Sequence, residues 1–96
     1  MASGLGTATL DFGSGPSVEA SVAVIGQAEI TADSRIEAFV MARNTPDNGV
    51  VDHNFAAVSL RLICSDPTPG VGFTITAFNL FGYATGQFSI EWTWSD

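Results

Sequence analysis

Residues 87–94, Gln-Phe-Ser-Ile-Glu-Trp-Thr-Trp, alternate without a fault. Phe88, Ile90, Trp92 and Trp94 fall on one side, and Gln87, Ser89, Glu91 and Thr93 on the other. Successive side chains of an extended chain point to opposite faces, so the pattern predicts a β-strand with one wet face and one heavy apolar face. Such a face must lie on a second layer. The run ends two residues before the sequence does, and the expectation is a strand that closes the fold.

The rest of the chain reads the same way. Thr7–Phe12 alternates with Ala8, Leu10 and Phe12 in phase, and stops in Gly13-Ser14-Gly15-Pro16, a turn-forming group. Val18–Ile25 is rich in β-branched residues and apolar on both phases, which predicts a central strand covered on both sides. Gln27–Thr31 reads as a short strand or an extended link. Arg35–Arg43 is a strand with Ile36, Ala38 and Val40 in phase, and the one segment where a helix competes. Asn44–Asn54 is the longest irregular piece and the natural place for a functional loop. Phe55–Ser65 reads as one long strand with Ala56, Val58, Leu60, Leu62 and Cys64 in phase, broken by Asp66-Pro67-Thr68-Pro69-Gly70. Phe73, Ile75 and Ala77 oppose Thr74, Thr76 and Phe78 in the next strand. The stretch Phe81–Gly86 then turns the chain, as a hairpin, into the closing strand. The expected fold class is all-β: a compact antiparallel β-sandwich or small β-barrel of six to seven short strands. It forms a single domain over residues 1–96, with residues 1–5 as a flexible lead-in.

Composition narrows the partners. The net charge is −7, with Arg35, Arg43 and Arg61 as the only strong cations and no lysine. Neutralising a phosphate backbone requires a set of cationic side chains that this chain lacks, so no nucleic acid is expected. No run approaches the roughly 18–20 apolar residues of a membrane helix, and no membrane partner is expected. The opening Met1–Gly6 lacks the basic start and apolar core of a signal peptide, which predicts a protein made in the cytoplasm of its producer. Hydrophobic residues make up 46% of the chain and charged residues 14%, which is low for a small monomer and points to surface covered by a partner chain.

Catalytic constellations are hard to assemble from this inventory. Cys64 is single and in phase with Leu60 and Leu62, so it reads as a small buried hydrophobe. His53 is the only histidine, and on a strand its neighbour Asp52 would face away from it, so no Ser-His-Asp triad is expected. Glu29, Glu37 and Glu91 sit on solvent-facing phases without an apolar pocket that would raise a carboxyl pKa. The loop residues Asp47, Asn48, Asp52, His53 and Asn54 are oxygen-rich but lack calcium-loop spacing, and one histidine makes a poor zinc site. Gly13-Ser14-Gly15 lacks the Gly-Lys-Ser/Thr ending of a phosphate loop. No enzymatic activity, cofactor or metal is expected.

Aromatics carry what signal remains. Phe39, Phe78, Phe81 and Tyr83 lie on outward phases or in turns, where such side chains anchor interfaces or stack on sugars. With Asp52 and His53 they form the expected partner-contact set, centred on Phe81-Gly82-Tyr83.

Several phrases, taken in order, carry a resemblance. They are Thr9-Leu10-Asp11-Phe12-Gly13, Glu19 to Gln27, Ile36-Glu37-Ala38-Phe39-Val40-Met41, Asp52-His53, Gly72-Phe73-Thr74-Ile75 and Gly86 to Trp94. Together they resemble a group of small structural proteins of tailed-bacteriophage and prophage virions, over nearly the whole chain. The chain departs from that group in having only Asp52-His53-Asn54 where relatives carry a richer His/Asp/Glu cluster, and Thr76 where they often have tyrosine. No role of that cluster carries over, and the group offers no enzymatic motif. The resemblance implies a non-enzymatic virion component made in the host bacterial cytoplasm, foremost a capsid decoration (cement) protein. Its expected partners are other copies of itself, as a trimer, and major capsid or tail proteins. The alternative it implies is a tail-tip or fibre module that binds a host surface glycan or receptor.

Overall fold

The strand around 87–94 turns out to be central. In the computed structural model, which describes residues 2–14, 17–41, 45, 48–80 and 82–96 (backbone alone for 50, 54, 55 and 58), it is β6, Gln87–Ser95. The strands before it are β1 (Ser3–Asp11), β2 (Glu19–Val24), β3 (Arg35–Val40), β4 (Leu60–Thr68) and β5 (Gly72–Asn79), and one helix, α1 (Val50–Ser59), precedes β4. They form two three-stranded antiparallel sheets, ordered β1-β6-β3 and β2-β5-β4. The chain is an all-β sandwich. β1 lies beside β2 and β3 beside β4 at its two sides, and α1 sits against β3 and β4.

The inward phases meet as the alternation requires. Phe88, Ile90, Trp92 and Trp94 of β6 are buried against Phe73, Ile75 and Ala77 of β5, with Leu10, Phe12 and Leu60 around them. Phe73 meets Trp92 edge-on at 5.5 Å, and Phe12 meets Phe88 edge-on at 5.8 Å, the favoured geometry for aromatic pairs.

β1 explains its own glycines. Gly4 and Gly6 stand opposite Trp94 and Trp92 in the β1–β6 register, and the indole rings lie across the backbone where a Cβ would be. Trp94 Nε1 donates to Gln27 Oε1 at 2.9 Å, whereas buried Trp92 Nε1 has no acceptor among the described residues. The Trp92 ring is therefore held by its fit over Gly6, not by a hydrogen bond. Gly6→Ala should expel the ring and destabilise the fold by about 2 kcal/mol, within the usual range for overpacking. The measurement is thermal unfolding with tryptophan emission; an unchanged melting point and spectrum would refute the packing argument.

Several expectations are corrected. The segment Ser3–Leu5, expected to be loose, pairs with Thr93–Ser95. β2 is an edge strand buried on one face only, and the central strands are β5 and β6. Residues 27–30 form a turn closed by Ile30 N–H on Gln27 O, and not a strand, whereas Arg35–Val40 is a strand as expected, ending three residues before Arg43. The break expected at Asp66 comes later: β4 continues to Thr68 through an irregularity between Ser65 and Thr68, with Asp66 at φ 54°, a region that Asp tolerates better than most residues. Phe81–Gly86 is not a hairpin, because β5 and β6 belong to opposite sheets and the link crosses between them.

The largest correction is α1. Residues 50–54, expected as loop, and 55–59, expected as strand, form one helix. Asp52 Oδ2 accepts the Gly49 amide at 2.9 Å, so an acidic side chain holds the first turn, where the helix dipole favours it. His53, Ala56, Ser59 and Leu60 recur at helical spacing and are buried, while Val51, Asp52 and Ala57 face out.

Candidate binding cleft

The polar residues between β3 and α1 have a use inside the fold. β3 ends at Val40, and Met41 N–H still donates to Ser89 O at 3.0 Å. The reciprocal bond goes elsewhere: Ser89 N–H donates to Nε2 of His53 at 2.9 Å. One residue pair further on, Gln87 O accepts Thr45 Oγ1 at 2.7 Å and Asn48 Nδ2 at 2.9 Å. Three side chains thus replace a strand along residues 87–89 of β6. A backbone amide can only donate, so Nε2 of His53 is the bare nitrogen, and Nδ1 carries the proton that it shares with Gly49 O at 2.9 Å. Both ring nitrogens are spent on backbone, and the ring packs on Phe88 with centroids 5.2 Å apart.

Beside this latch, α1 and the β5–β6 link enclose an open cleft of about 390 Å³. Ala56, Leu60 and Phe88 form its apolar floor, and Phe88 is fixed from behind by His53 and Phe12. Val51 and Tyr83 stand at the mouth, 79% and 74% exposed. Asp52, Asn79 and Thr85 add polar groups to the lining. Its size and its apolar lining with few polar groups are those of sites that take a small molecule or one projecting side chain.

Of the expected contact residues, the structure brings Asp52 and Tyr83 together at this mouth. His53 is fully buried behind it and is corrected from partner contact to structural latch, since both its nitrogens bond the chain's own backbone. Phe39 and Phe78 lie on the outward faces of opposite sheets, away from the cleft and from each other. Phe81 lies outside the described residues. Ala56, Leu60, Asn79 and Phe88 carry no site signal in the sequence; only a helical reading of 50–59 would have set Ala56 and Leu60 beside Asp52.

The electrostatics are quiet. The Cys64 thiol is pushed up from its ordinary pKa, first by burial and then by the carboxylate of Glu37 on neighbouring β3, so it stays protonated and poorly nucleophilic. Among the described residues, no group of three His, Cys, Asp or Glu side chains is placed to hold a metal ion. No helix there is long and apolar enough to cross a membrane. No family model, curated protein or solved structure matches this chain.

Proposed function

We propose that this chain is a non-enzymatic structural subunit of a tailed-phage virion, a decoration protein that binds the shell exterior as a homo-oligomer. The supporting observation is the α1 cleft: an apolar floor between two exposed apolar lips, Val51 and Tyr83. The groups nearest to it with acid–base potential are engaged in the fold, His53 by Ser89 and Gly49 and Asp52 by the helix start. Such a site supplies adhesion. Binding of many copies to assembled shells, and not to free shell subunits, stabilises the particle by mass action.

Immunogold labelling of intact particles with antibody against the protein should decorate heads. Tyr83→Ala should weaken shell binding by about thirtyfold, as loss of an interface anchor worth about 2 kcal/mol does. Binding should survive about 0.5 M salt, where screening leaves charges a reach of only about 4 Å. Unlabelled particles, or complete release at that salt, would overturn the reading. One observation favours a second reading: Tyr83 presents a 74% exposed aromatic ring at the cleft mouth, a surface on which a sugar ring stacks. Label confined to the tail end would select that reading, a glycan-binding tail-tip or fibre module.

A further inference from the structure

The outer face of sheet β2-β5-β4 is a regular grid. Its first row is Glu19, Phe78, Arg61; its second Ser21, Thr76, Ile63; its third Ala23, Thr74, Ser65. Among the described residues no element covers this face, since α1 packs at the β3–β4 side. Phe78 stands in the middle of the first row, and Leu80, two residues on, is 59% exposed, with Ile63 at 40%. An apolar group, made of Phe78 on the central strand, Leu80 just beyond its end and Ile63 on β4, is therefore flanked in the first row by one anion and one cation in register. Those charges are two strand spacings apart, about 10 Å, and among the described residues neither makes an ion pair.

We propose that this face joins two copies of the chain about a two-fold axis parallel to β5. That rotation turns the face over and exchanges left with right. Phe78 meets its own counterpart, each Glu19 lies over the other copy's Arg61, and the second ion pair forms by symmetry. In the second row, Ile63 lies over Ser21, large on small. The competing axis, in the same plane but across the strands, lays Glu19 on Glu19 and Arg61 on Arg61. Charge selects one arrangement.

The other sheet fails the same test. Its central strand presents Glu91, flanked by Thr7 and Phe39, and an axis along β6 would set Glu91 against itself. Self-pairing thus belongs to the sheet that carries Glu19, Phe78 and Arg61. The inference does not depend on the virion reading, and it replaces the expected trimer with a two-fold contact.

Sedimentation velocity at about 100 µM should find a particle of twice the 10.0 kDa chain mass. Glu19→Arg presents two cations per face and Arg61→Glu two anions, so each variant alone should dissociate about a hundredfold more readily and run as a monomer. Mixed one to one, the two should reassociate, because every cation then lies over an anion. Both positions are exposed, so circular dichroism should match the parent. A monomeric parent, a trimer, single variants that remain dimeric, or a mixture that stays monomeric would each overturn the proposal.

Discussion

Gly72→Ala is expected to cost at least about 3 kcal/mol, at or beyond the upper end of ordinary overpacking penalties. Gly72 begins β5 and is buried where β2 crosses closest to it. A Cβ there would run into the carbonyl oxygen of Val24, with Val24 C at 2.8 Å and Ile25 Cα at 3.1 Å. Every one of these atoms is backbone. A side chain can rotate away from an intruding methyl, but this carbonyl cannot move without loosening the ladder in which Val24 pairs with Phe73. At about 4–8 °C per kcal/mol for a domain of this size, the melting temperature should fall by roughly 15 °C. Gly26→Ala is the control. Gly26 sits at φ 79° with nothing within 4 Å of a Cβ, so it should show only the penalty of about 1–2 kcal/mol for a left-handed residue. Equal losses at the two positions would show that contact with Val24 is not what limits residue 72.

The contrast between these glycines also marks how far the sequence could be read. Phe88, Ile90, Trp92 and Trp94 announced their burial because alternation is a local property, and each strand repeats it independently of its neighbours. Nothing local announces Gly72, whose constraint is Val24, 48 positions away in the chain. The same holds for Gly4 and Gly6, which resemble loop residues until the indoles of β6 are laid over them.

Residues 50–59 misled for a different reason. Ala56 and Leu60 are four apart, a spacing that satisfies a strand of period two and a helix of period 3.6 alike. Leu60, Leu62 and Cys64 do belong to a strand, so the alternation ran backwards into the helix without a visible seam. Val50, Val51 and Val58 added β-branched weight. The sign of a helix was Gly49 followed three residues later by Asp52, a weak start signal because glycine has no capping side chain. The candidate cleft was hidden by the same error. Tyr83 was legible as an exposed aromatic, but its partners Asp52 and Val51 reach it only when 50–59 is helical.

His53 shows how a residue with catalytic chemistry can be consumed by architecture, and its replacements separate its two bonds. His53→Leu keeps the site filled but removes the acceptor for Ser89 N–H and the donor to Gly49 O. Gly49 O keeps the backbone N–H of residue 53, at 3.0 Å, so the Ser89 amide is the group left unpaired, and the variant should lose about 1–3 kcal/mol of the roughly 5–15 kcal/mol that holds a domain together. Two amides dissect the loss. The glutamine amide reaches the position of Nε2 and can still accept from Ser89, whereas the asparagine amide reaches only the position of Nδ1 and can still donate to Gly49. An unpaired amide on the central strand is the more damaging defect, because among the described residues His53 is the acceptor of the Ser89 amide, whereas Gly49 O keeps a second donor. The expected order is His53 first, then Gln, with Asn close to Leu. Hydrogen exchange at the Ser89 amide supplies a local readout, slow in His53→Gln and fast in both His53→Asn and His53→Leu. If Ser89 stays protected in His53→Leu, or if Asn and Gln prove equally stable, then the imidazole is not what completes the edge of β6, and the ring's contact with Phe88 is its main contribution.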